Sequence, residues 1–200
     1  DVYKRQDNDH LDYFKNIDNI EKSFQKYVSM LPSDGLLVVN MDDERCYNLR
    51  NHTRANVLTT SMTNEKADYY ARNISYNDEG CASYDLMHNN EKIDRITLGV
   101  AGSHNVSNSL ECIALCLWYK LPIEMIKEGL IGFTGASRRL EYKGKFKGAC
   151  VYDDYGHHPT EIMATSNAIH KKQYNESWVI FEAHTYSRAY NCLLYTSPSP

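Results

Sequence analysis

Apolar side chains recur at helical spacing in two long segments of the chain. The first segment starts near residue 17, and its apolar face consists of Ile17, Ile20, Phe24, Tyr27 and Val28. The second segment covers residues 102–121, and its apolar face consists of Leu110, Ile113, Ala114, Leu117, Trp118 and Leu121. This spacing predicts two amphipathic helices, and we expect the second to lie in the protein core.

Short continuous apolar runs predict buried strands between the helices. LLVVN at 36–40 and NVLTTSM at 56–62 flank a short helical segment, and residues 64–100 are rich in strand formers. This alternation is typical of an α/β domain with a mostly parallel sheet. Another helix is expected after Pro122, and the glycines that follow it predict a domain boundary near residues 133–134.

The residues beyond this boundary predict a second, smaller α/β unit. Residues 138–156 have the pattern of a hairpin, a helix is expected from Pro159 to about Lys172, and WVIFEAH at 178–184 is expected to form a buried strand. In units that run strand, helix, strand, binding sites lie at the carboxyl ends of the strands. The segments DDYGHHP and HTYSR fall at those ends.

Composition places the chain among ordinary globular proteins and excludes some classes of partner. The 200 residues are 42% hydrophobic and 24% charged, with a formal net charge of -4. This balance argues against sequence-independent binding of nucleic acid, which requires a basic surface. No apolar run approaches the roughly 18–20 residues of a membrane span. We therefore expect a cytoplasmic protein that binds neither nucleic acid nor membrane.

The densest group of ionisable residues lies in DDYGHHPTE, residues 153–161. Asp153 and Asp154 stand where a strand ends and could accept hydrogen bonds from ribose hydroxyls, while Gly156 permits a tight turn. His157 and His158 could donate to anionic oxygens or transfer protons near neutral pH. The same residues also suit a plain polar turn with His158 as helix cap, and both interpretations stay open.

The start of the predicted core helix is a second candidate site. In GSHNVSN, His104, Asn105 and Asn108 would stand at a helix N-terminus beside backbone N–H groups. Side-chain amides carry a donor and an acceptor and can therefore pair with the edge of a purine. An ordinary N-cap by Asn105 or Ser107 is the alternative interpretation.

Three further segments carry charged or imidazole side chains. His10, in DHLDYF, lies beside carboxylates and is a candidate for a divalent-ion site, although Mg²⁺ prefers oxygen ligands. Arg138 and Arg139 suit phosphate binding, but such a pair is also typical of a solvated surface. His184 and Arg188 follow the last predicted strand and could contact a carboxylate or a phosphate.

Taken in chain order, these motifs resemble those of the Mur ligases. The matching segments are DHLDYF, GxHNxxN, FxGxxRRxE, DDYGHHPTE and HTYSR. The resemblance covers nearly all of residues 7–191. It implies an α/β fold in which part of the central ATPase domain, residues 7–133, precedes part of a Rossmann-like carboxy-terminal domain, residues 134–191. Residues 1–6 and 192–200 resemble translated sequencing-adaptor peptides, so we expect an internal piece of a longer protein with artificial ends.

The resemblance also implies roles for individual residues. The position associated with magnesium is His10, and the positions that hold the adenine of ATP are His104, Asn105 and Asn108. The positions that contact the phosphate and ribose of ATP are Arg139 and Asp154. The positions that face the substrate carboxylate and the incoming amino acid are His157, His158, His184 and Arg188.

The activity implied by the resemblance is ATP-dependent amide-bond formation in peptidoglycan precursor synthesis. ATP and Mg²⁺ would activate the carboxylate of UDP-N-acetylmuramate as an acyl phosphate, which the amine of L-alanine would attack. The family's glycine-rich phosphate loop is absent from the 200 residues, so we expect the chain alone to be inactive. The alternatives are a murein-tripeptide recycling ligase of the same family, a non-catalytic Mur-ligase-like binding module, and a metal-dependent hydrolase.

Overall fold

Helices and strands alternate along most of the chain, as the apolar pattern predicts. The computed structural model describes residues 11–157, 159–170, 172 and 174–182. The elements are α1 (Leu11–Phe14), α2 (Ile17–Ser29), β1 (Leu36–Asn40), α3 (Glu44–Asn48), a 3₁₀ helix (Leu49–His52), β2 (Asn56–Ser61), β3 (Tyr69–Tyr76), β4 (Cys81–His88), β5 (Glu91–Ala101), α4 (His104–Trp118), α5 (Ile123–Gly132), β6 (Glu141–Phe146), β7 (Ala149–Asp153) and α6 (Pro159–His170). Among the described helices, none has the length and apolar character needed to cross a bilayer.

Strands β1 to β5 form one sheet in which the spatial order of the strands follows their order in the chain. The pairs β1–β2 and β2–β3 are parallel, whereas β3, β4 and β5 run antiparallel to one another. Parallel pairing sets Asn40, the last residue of β1, opposite Thr60 near the end of β2. The predicted α/β class is confirmed, and the parallel part of the sheet comprises its first three strands.

Helix α4 packs across the sheet and supplies much of the main core. Val106, Leu110 and Ile113 of this helix are fully buried. Their cluster also includes the fully buried sheet residues Ala82, Tyr84, Leu86 and Ile96. Because burial of one such large side chain contributes about 1.5–3 kcal/mol, this cluster is the main source of stability in the first part of the chain. Three residues of α5 join it, as predicted: Ile123, Ile126 and Leu130.

The predicted apolar face of α4 is wrong at its last turn. Trp118 is 39% exposed, and Leu121 is 36% exposed. Helix α4 ends at Trp118, and Lys120 adopts a positive φ of 61°, so the helical path stops there. The helical spacing of apolar residues therefore extends one turn beyond the buried part of the helix.

Strand β5 and the end of helix α5 approach each other at Gly99. A Cβ atom added there would lie 2.2 Å from the carbonyl oxygen of Ile131 and 2.7 Å from that of Phe133. Both distances are too short for any side chain. Glycine is therefore required where the end of α5 rests on the sheet.

The residues after α5 form a smaller unit that consists of the β6–β7 hairpin and α6. Glu141 pairs with Asp153, and Phe146 pairs with Ala149. Between the strands, Lys147 and Gly148 have φ values of 47° and 88°, as in the tight turns that suit hairpin twist. The hairpin and helix predicted for this unit are confirmed.

The buried strand predicted at residues 178–184 is wrong for the part that the structure describes. Residues 176–182 form no strand, and Trp178 and Ile180 are 84% and 96% exposed. A buried strand needs partners for its backbone and for both of its faces. Within the described part of this unit, β6 and β7 pair only with each other, so residues 176–182 pair with neither strand. Residues 183 and 184 lie outside the described residues.

Helix α6 brings the second unit against the first at Gly102, the residue that precedes the turn into α4. Ala168 of α6 is 1% exposed, and its Cβ lies 3.3 Å from the position that a Cβ would occupy on Gly102. Just beyond α6, Lys172 lies near Cys81: burial raises the pKa of that thiol, and the charge of Lys172 opposes the rise. The start of α4 therefore lies at the contact between the two units.

Candidate active site

A network of amides lies at the start of helix α4. Gly102 has a φ of 103°, which favours glycine, and its N–H donates to the Gly80 carbonyl at 3.1 Å. Asn105 donates its side-chain amide to the Ala101 carbonyl at 2.7 Å, and Asn108 donates to the Asn105 side-chain oxygen at 2.9 Å. The alternative interpretation, an N-cap by Asn105 or Ser107, is wrong, because α4 begins at His104 with Ser103 at the N-cap position.

The side-chain oxygen of Asn108 is a buried acceptor in this network. It has no hydrogen-bond partner within the described part of the chain, whereas the amide nitrogen of the same side chain is used. A buried acceptor without a donor costs about 1–3 kcal/mol. An N–H group of a ligand, such as the amino group of adenine, would satisfy it.

The carboxyl ends of β1 and β2 carry a second polar cluster beside α4. The Asn40 side chain donates to the Ser107 hydroxyl at 2.9 Å, which ties the end of β1 to the first turn of α4. Asp42 accepts from the backbone of Met62 and the hydroxyl of Thr63, each at 2.7 Å. Sequence reasoning missed this cluster. The available signal was the position of these polar residues directly after a buried strand, where sites form in parallel sheets.

Asp154 organises the turn between β7 and α6. One carboxylate oxygen accepts from the Leu140 backbone at 2.8 Å and from the Thr165 hydroxyl at 3.1 Å. The other accepts from the Gly156 backbone at 2.6 Å. A Cβ on Gly156 would lie 2.6 Å from this same oxygen, so a side chain at residue 156 would displace the Asp154 carboxylate. In this structure Asp154 thus has the contacts expected if DDYGHHPTE is a plain polar turn.

The two arginines before β6 each face a carboxylate. The Arg138 side chain lies 3.5 Å from Asp153 and stacks on the Tyr155 ring, 4.6 Å from its centroid. Arg139 donates to Glu161 at 2.8 Å. Glu161 stands in the first turn of α6, and sequence reasoning assigned it no role. The guanidinium predicted to bind phosphate is therefore held by a neighbouring carboxylate.

His157 presents one ring nitrogen for chemistry. Its Nδ1 lies 3.0 Å from the carbonyl oxygen of Tyr155. A carbonyl only accepts hydrogen bonds, so Nδ1 carries the proton in the neutral ring and Nε2 keeps its lone pair. The backbone N–H of His157 donates to Glu161 at 3.2 Å. Nε2 is thus the ring atom of this residue that can accept a proton.

The structure gathers the predicted site residues that it describes into two groups. One group, at the start of α4, comprises His104, Asn105 and Asn108. The other, around the turn before α6, comprises Arg139, Asp154 and His157. Helix α6 connects them, because Thr165 binds Asp154 while Ala168 contacts the Gly102 position.

Four predicted site residues lie outside the described residues: His10, His158, His184 and Arg188. Within the described part of the chain, no three His, Cys, Asp or Glu side chains cluster closely enough to hold a metal ion. The predicted magnesium site therefore stays a prediction that depends on His10.

Comparison with known proteins places this geometry in a family. The model of the Mur ligase middle domain matches residues 6–116. The UDP-N-acetylmuramate–L-alanine ligase of Lachnospira eligens is 46% identical over 180 residues, which cover 90% of this chain and 39% of that protein. The chain thus spans about two fifths of the length of this curated relative.

Solved structures share the fold. MurF from Acinetobacter baumannii aligns with a TM-score of 0.73 at 22% identity, over 84% of this chain and 36% of that one. The UDP-N-acetylmuramate-alanine ligase MurC of Thermotoga maritima aligns with a TM-score of 0.66 at 25% identity, over 82% of this chain and 36% of that one. Because the family model matches more than half of the residues and the fold agrees, the chain belongs to the Mur ligase family.

Proposed function

We propose that the protein containing this chain joins L-alanine to the carboxylate of UDP-N-acetylmuramate, at the expense of ATP. One observation carries the proposal: the 46% identity to a ligase of that name extends over 90% of this chain. That span includes both groups of site residues, so the similarity is not confined to the sheet. It favours this reaction over the tripeptide-recycling and non-catalytic alternatives.

The proposed chemistry has two steps. Bound ATP would supply the γ-phosphoryl group that converts the muramoyl carboxylate into an acyl phosphate. The L-alanine amine then forms a bond to the acyl carbon and loses a proton, and phosphate leaves with the electrons of the broken C–O bond. In this proposal His157 accepts that proton at Nε2, since its Nδ1 lies against the Tyr155 carbonyl.

The start of α4 supports the proposed place of the adenine. The buried Asn108 oxygen, which has no donor within the described residues, fits the amino group of a purine. His104 and Asn105 would border the same ring. Nothing in the described residues favours a site for Mg²⁺, so we propose only that His10 contributes to one and derive no step from it.

The turn before α6 supports the proposed place of the phosphates and ribose. Arg139 supplies the positive charge that phosphoryl transfer needs, and Asp154 shapes the turn that would face the ribose. His158, His184 and Arg188 would complete the site around the muramoyl carboxylate and the amino acid. We place the boundary between the two domains near residues 133–134 and the reaction in the cytoplasm, where its nucleotide substrates are found.

The activity is tested with the full-length protein that contains this chain. It is incubated with UDP-N-acetylmuramate and ATP together with L-alanine, glycine, L-serine or the murein tripeptide, and ADP release is measured. We expect the highest kcat/KM with L-alanine. A preference for the tripeptide would reassign the protein to the recycling ligase, and no ADP release with any acceptor would refute the ligase proposal.

The site assignment has its own test in the same full-length protein. Arg139→Ala and Asp154→Ala are each expected to lower kcat/KM for ATP by about tenfold or more, because each removes a charged side chain that hydrogen-bonds in the proposed site. Circular dichroism would confirm that both variants fold. Kinetics equal to those of the unmodified protein in both variants would remove these residues from the site.

A further inference from the structure

We infer that Glu161 is a positioning residue for nucleotide use, through the contacts of its carboxylate with Arg139 and the His157 backbone. The inference rests on the proposed function, because it concerns the ATP that Arg139 would bind. Neither the motif resemblance nor the similarity to known ligases assigns Glu161 a role. The two carboxylate oxygens of Glu161 contact different parts of the site.

The geometry links two segments that are distant in the chain. Oε1 of Glu161 accepts from the Arg139 guanidinium at 2.8 Å, across a separation of 22 residues. Oε2 accepts from the backbone N–H of His157 at 3.2 Å. Arg139, the predicted phosphate-binding cation, and His157, the predicted proton acceptor, are thus both hydrogen-bonded to the Glu161 carboxylate. Glu161 therefore fixes the position of Arg139 relative to His157.

The carboxylate itself has a firm support. Glu161 lies in the first turn of α6, and this helix is anchored by Ala168, which is buried against the Gly102 position. A Cβ on Gly156 would lie 3.4 Å from the Cβ of Glu161, so the turn packs directly against the stem of this side chain. The orientation of Arg139 therefore follows the position of α6 relative to the start of α4.

The contact leaves Arg139 able to bind a phosphate. A guanidinium has five N–H donors, and the bond to Glu161 uses the nitrogen Nη2. The Arg139 side chain is also 48% exposed, so its other nitrogens can be reached by a ligand. Glu161 thus orients the cation in advance, which lowers the entropy that ATP binding must overcome. A carboxylate that competed with phosphate would have the opposite effect.

The test uses the full-length protein with Glu161→Gln, Glu161→Asp, Arg139→Ala and the double variant Glu161→Gln with Arg139→Ala. Glu128→Gln is the matched control, because Glu128 is an exposed carboxylate on α5 that lies in neither group of site residues. ATP affinity is measured by calorimetry, and KM for ATP and kcat are measured by ADP release. Thermal unfolding of each variant shows whether the fold is retained.

We expect Glu161→Gln to raise Kd and KM for ATP by about tenfold while kcat changes by less than about threefold, since the ion pair with Arg139 is lost while the amide oxygen of glutamine can still accept from the His157 backbone. Glu161→Asp should recover part of the affinity. In the Arg139→Ala background, Glu161→Gln should change Kd by less than about twofold, because residues that act as a unit are not additive. Glu128→Gln should leave all values unchanged.

Three results would overturn the inference. Glu161→Gln could match the unmodified protein, it could bind ATP more tightly, or its effect could simply multiply with that of Arg139→Ala. Failure of the proposed function is a different result, in which the unmodified protein releases no ADP with L-alanine. The calorimetric arm still measures ATP affinity in that case, so the two failures are distinguishable.

Discussion

The two units of this chain differ in how much apolar side chain they bury, and the difference shows which interactions stabilise each unit. Residues 11–132 form a five-stranded sheet covered by α4, with side chains such as Tyr84 and Leu110 fully buried. The regular elements described after residue 136 are one hairpin and one helix, and Phe146 and Val151 on the hairpin are 66% and 42% exposed. Within the described part of the second unit, Ala168 is the one buried hydrophobic side chain.

The first unit contributes most of the buried apolar surface, whereas the second unit carries several of the predicted site residues. The first unit is held by contacts between residues far apart in the chain, which bury apolar area and so stabilise it. The second unit carries Asp154, Arg139 and His157 on short-range turns that are held by hydrogen bonds and ion pairs. Such contacts are individually weak at a surface. We therefore expect substitutions in the first unit to alter unfolding and those in the second to alter ligand use.

The largest difference between the units is expected from removal of one apolar side chain in each. Leu110→Ala should lower the free energy of unfolding by about 2–5 kcal/mol, because it leaves a cavity under α4. Phe146→Ala should change it by less than about 0.5 kcal/mol, since this ring is mostly in solvent. Urea denaturation of the 200-residue chain measures both values.

A tryptophan reporter sharpens this first test. The chain has two tryptophans, of which Trp118 lies at the end of α4 and Trp178 in the second unit. In a Trp178→Phe background, fluorescence reports on the first unit and is used with Leu110→Ala. In a Trp118→Phe background, it reports on the second unit and is used with Phe146→Ala. Equal losses of stability for Leu110→Ala and Phe146→Ala would contradict the division into a buried and an exposed unit.

A smaller effect is expected where β5 meets α5. Gly99→Ala should destabilise the first unit by about 1–3 kcal/mol, because its methyl group would overlap the Ile131 carbonyl oxygen. Gly129→Ala is the matched control: it lies within α5 with no atom within 4 Å of an added Cβ. Since alanine favours helix, it should stabilise by about 0.5–1 kcal/mol. Thermal melts of both variants measure the change in stability. An unchanged stability in Gly99→Ala would show that β5 and the end of α5 can move apart at this contact.

The smallest effect is a pH dependence that should be stronger in the first unit. Lys92, then Asn73 and Arg95, hold the pKa of Asp85 well below its ordinary value through hydrogen bonds. A lowered pKa in the folded state adds stability above the unfolded pKa of about 3.9. That stability is lost as the pH falls further, toward the folded pKa. Asp85→Asn should therefore reduce stability at pH 6 and flatten the acid side of the curve.

Glu141 provides the comparison in the second unit. Lys143 and the backbone N–H of Arg138 also lower the pKa of this carboxyl, but it lies on the exposed hairpin. Glu141→Gln should change the acid side of the curve less than Asp85→Asn does. Acid titrations followed by circular dichroism between about pH 6 and pH 2 measure both variants. A larger change for Glu141→Gln would reverse the expected ranking.

Much of the first unit could be predicted from the sequence, because its elements are specified locally. Continuous apolar runs indicated β1 and β2, and helical spacing indicated α4 with Leu110 and Ile113 inward. The pattern failed at Trp118, since spacing does not record where the sheet beneath a helix ends. It failed again at residues 178–182, because an apolar run forms a buried strand only when a sheet pairs with it, and in the described residues β6 and β7 pair only with each other.

The site was predictable as a set of residues but not as a set of contacts. Motif order singled out Asp154 and Arg139, yet the sequence does not show that Arg139 faces Glu161, 22 residues later. That contact depends on the β6–β7 hairpin, which returns the chain to its starting point. The Asn40 bond to Ser107 spans 67 residues and depends on the whole sheet. Contacts of this kind follow from the three-dimensional path of the chain, which spacing alone does not reveal.

The turn between β3 and β4 has a practical consequence for labelling the protein. The carbonyl of Gly80 in this turn accepts from Gly102, so a fluorophore or epitope inserted there would displace the loop that leads into α4. The turn at Lys147 and Gly148 is the safer attachment point, because a Cβ added to Gly148 meets no atom within 4 Å. A dye placed on that hairpin would report on the carboxy-terminal unit without disturbing the contact between Gly80 and Gly102.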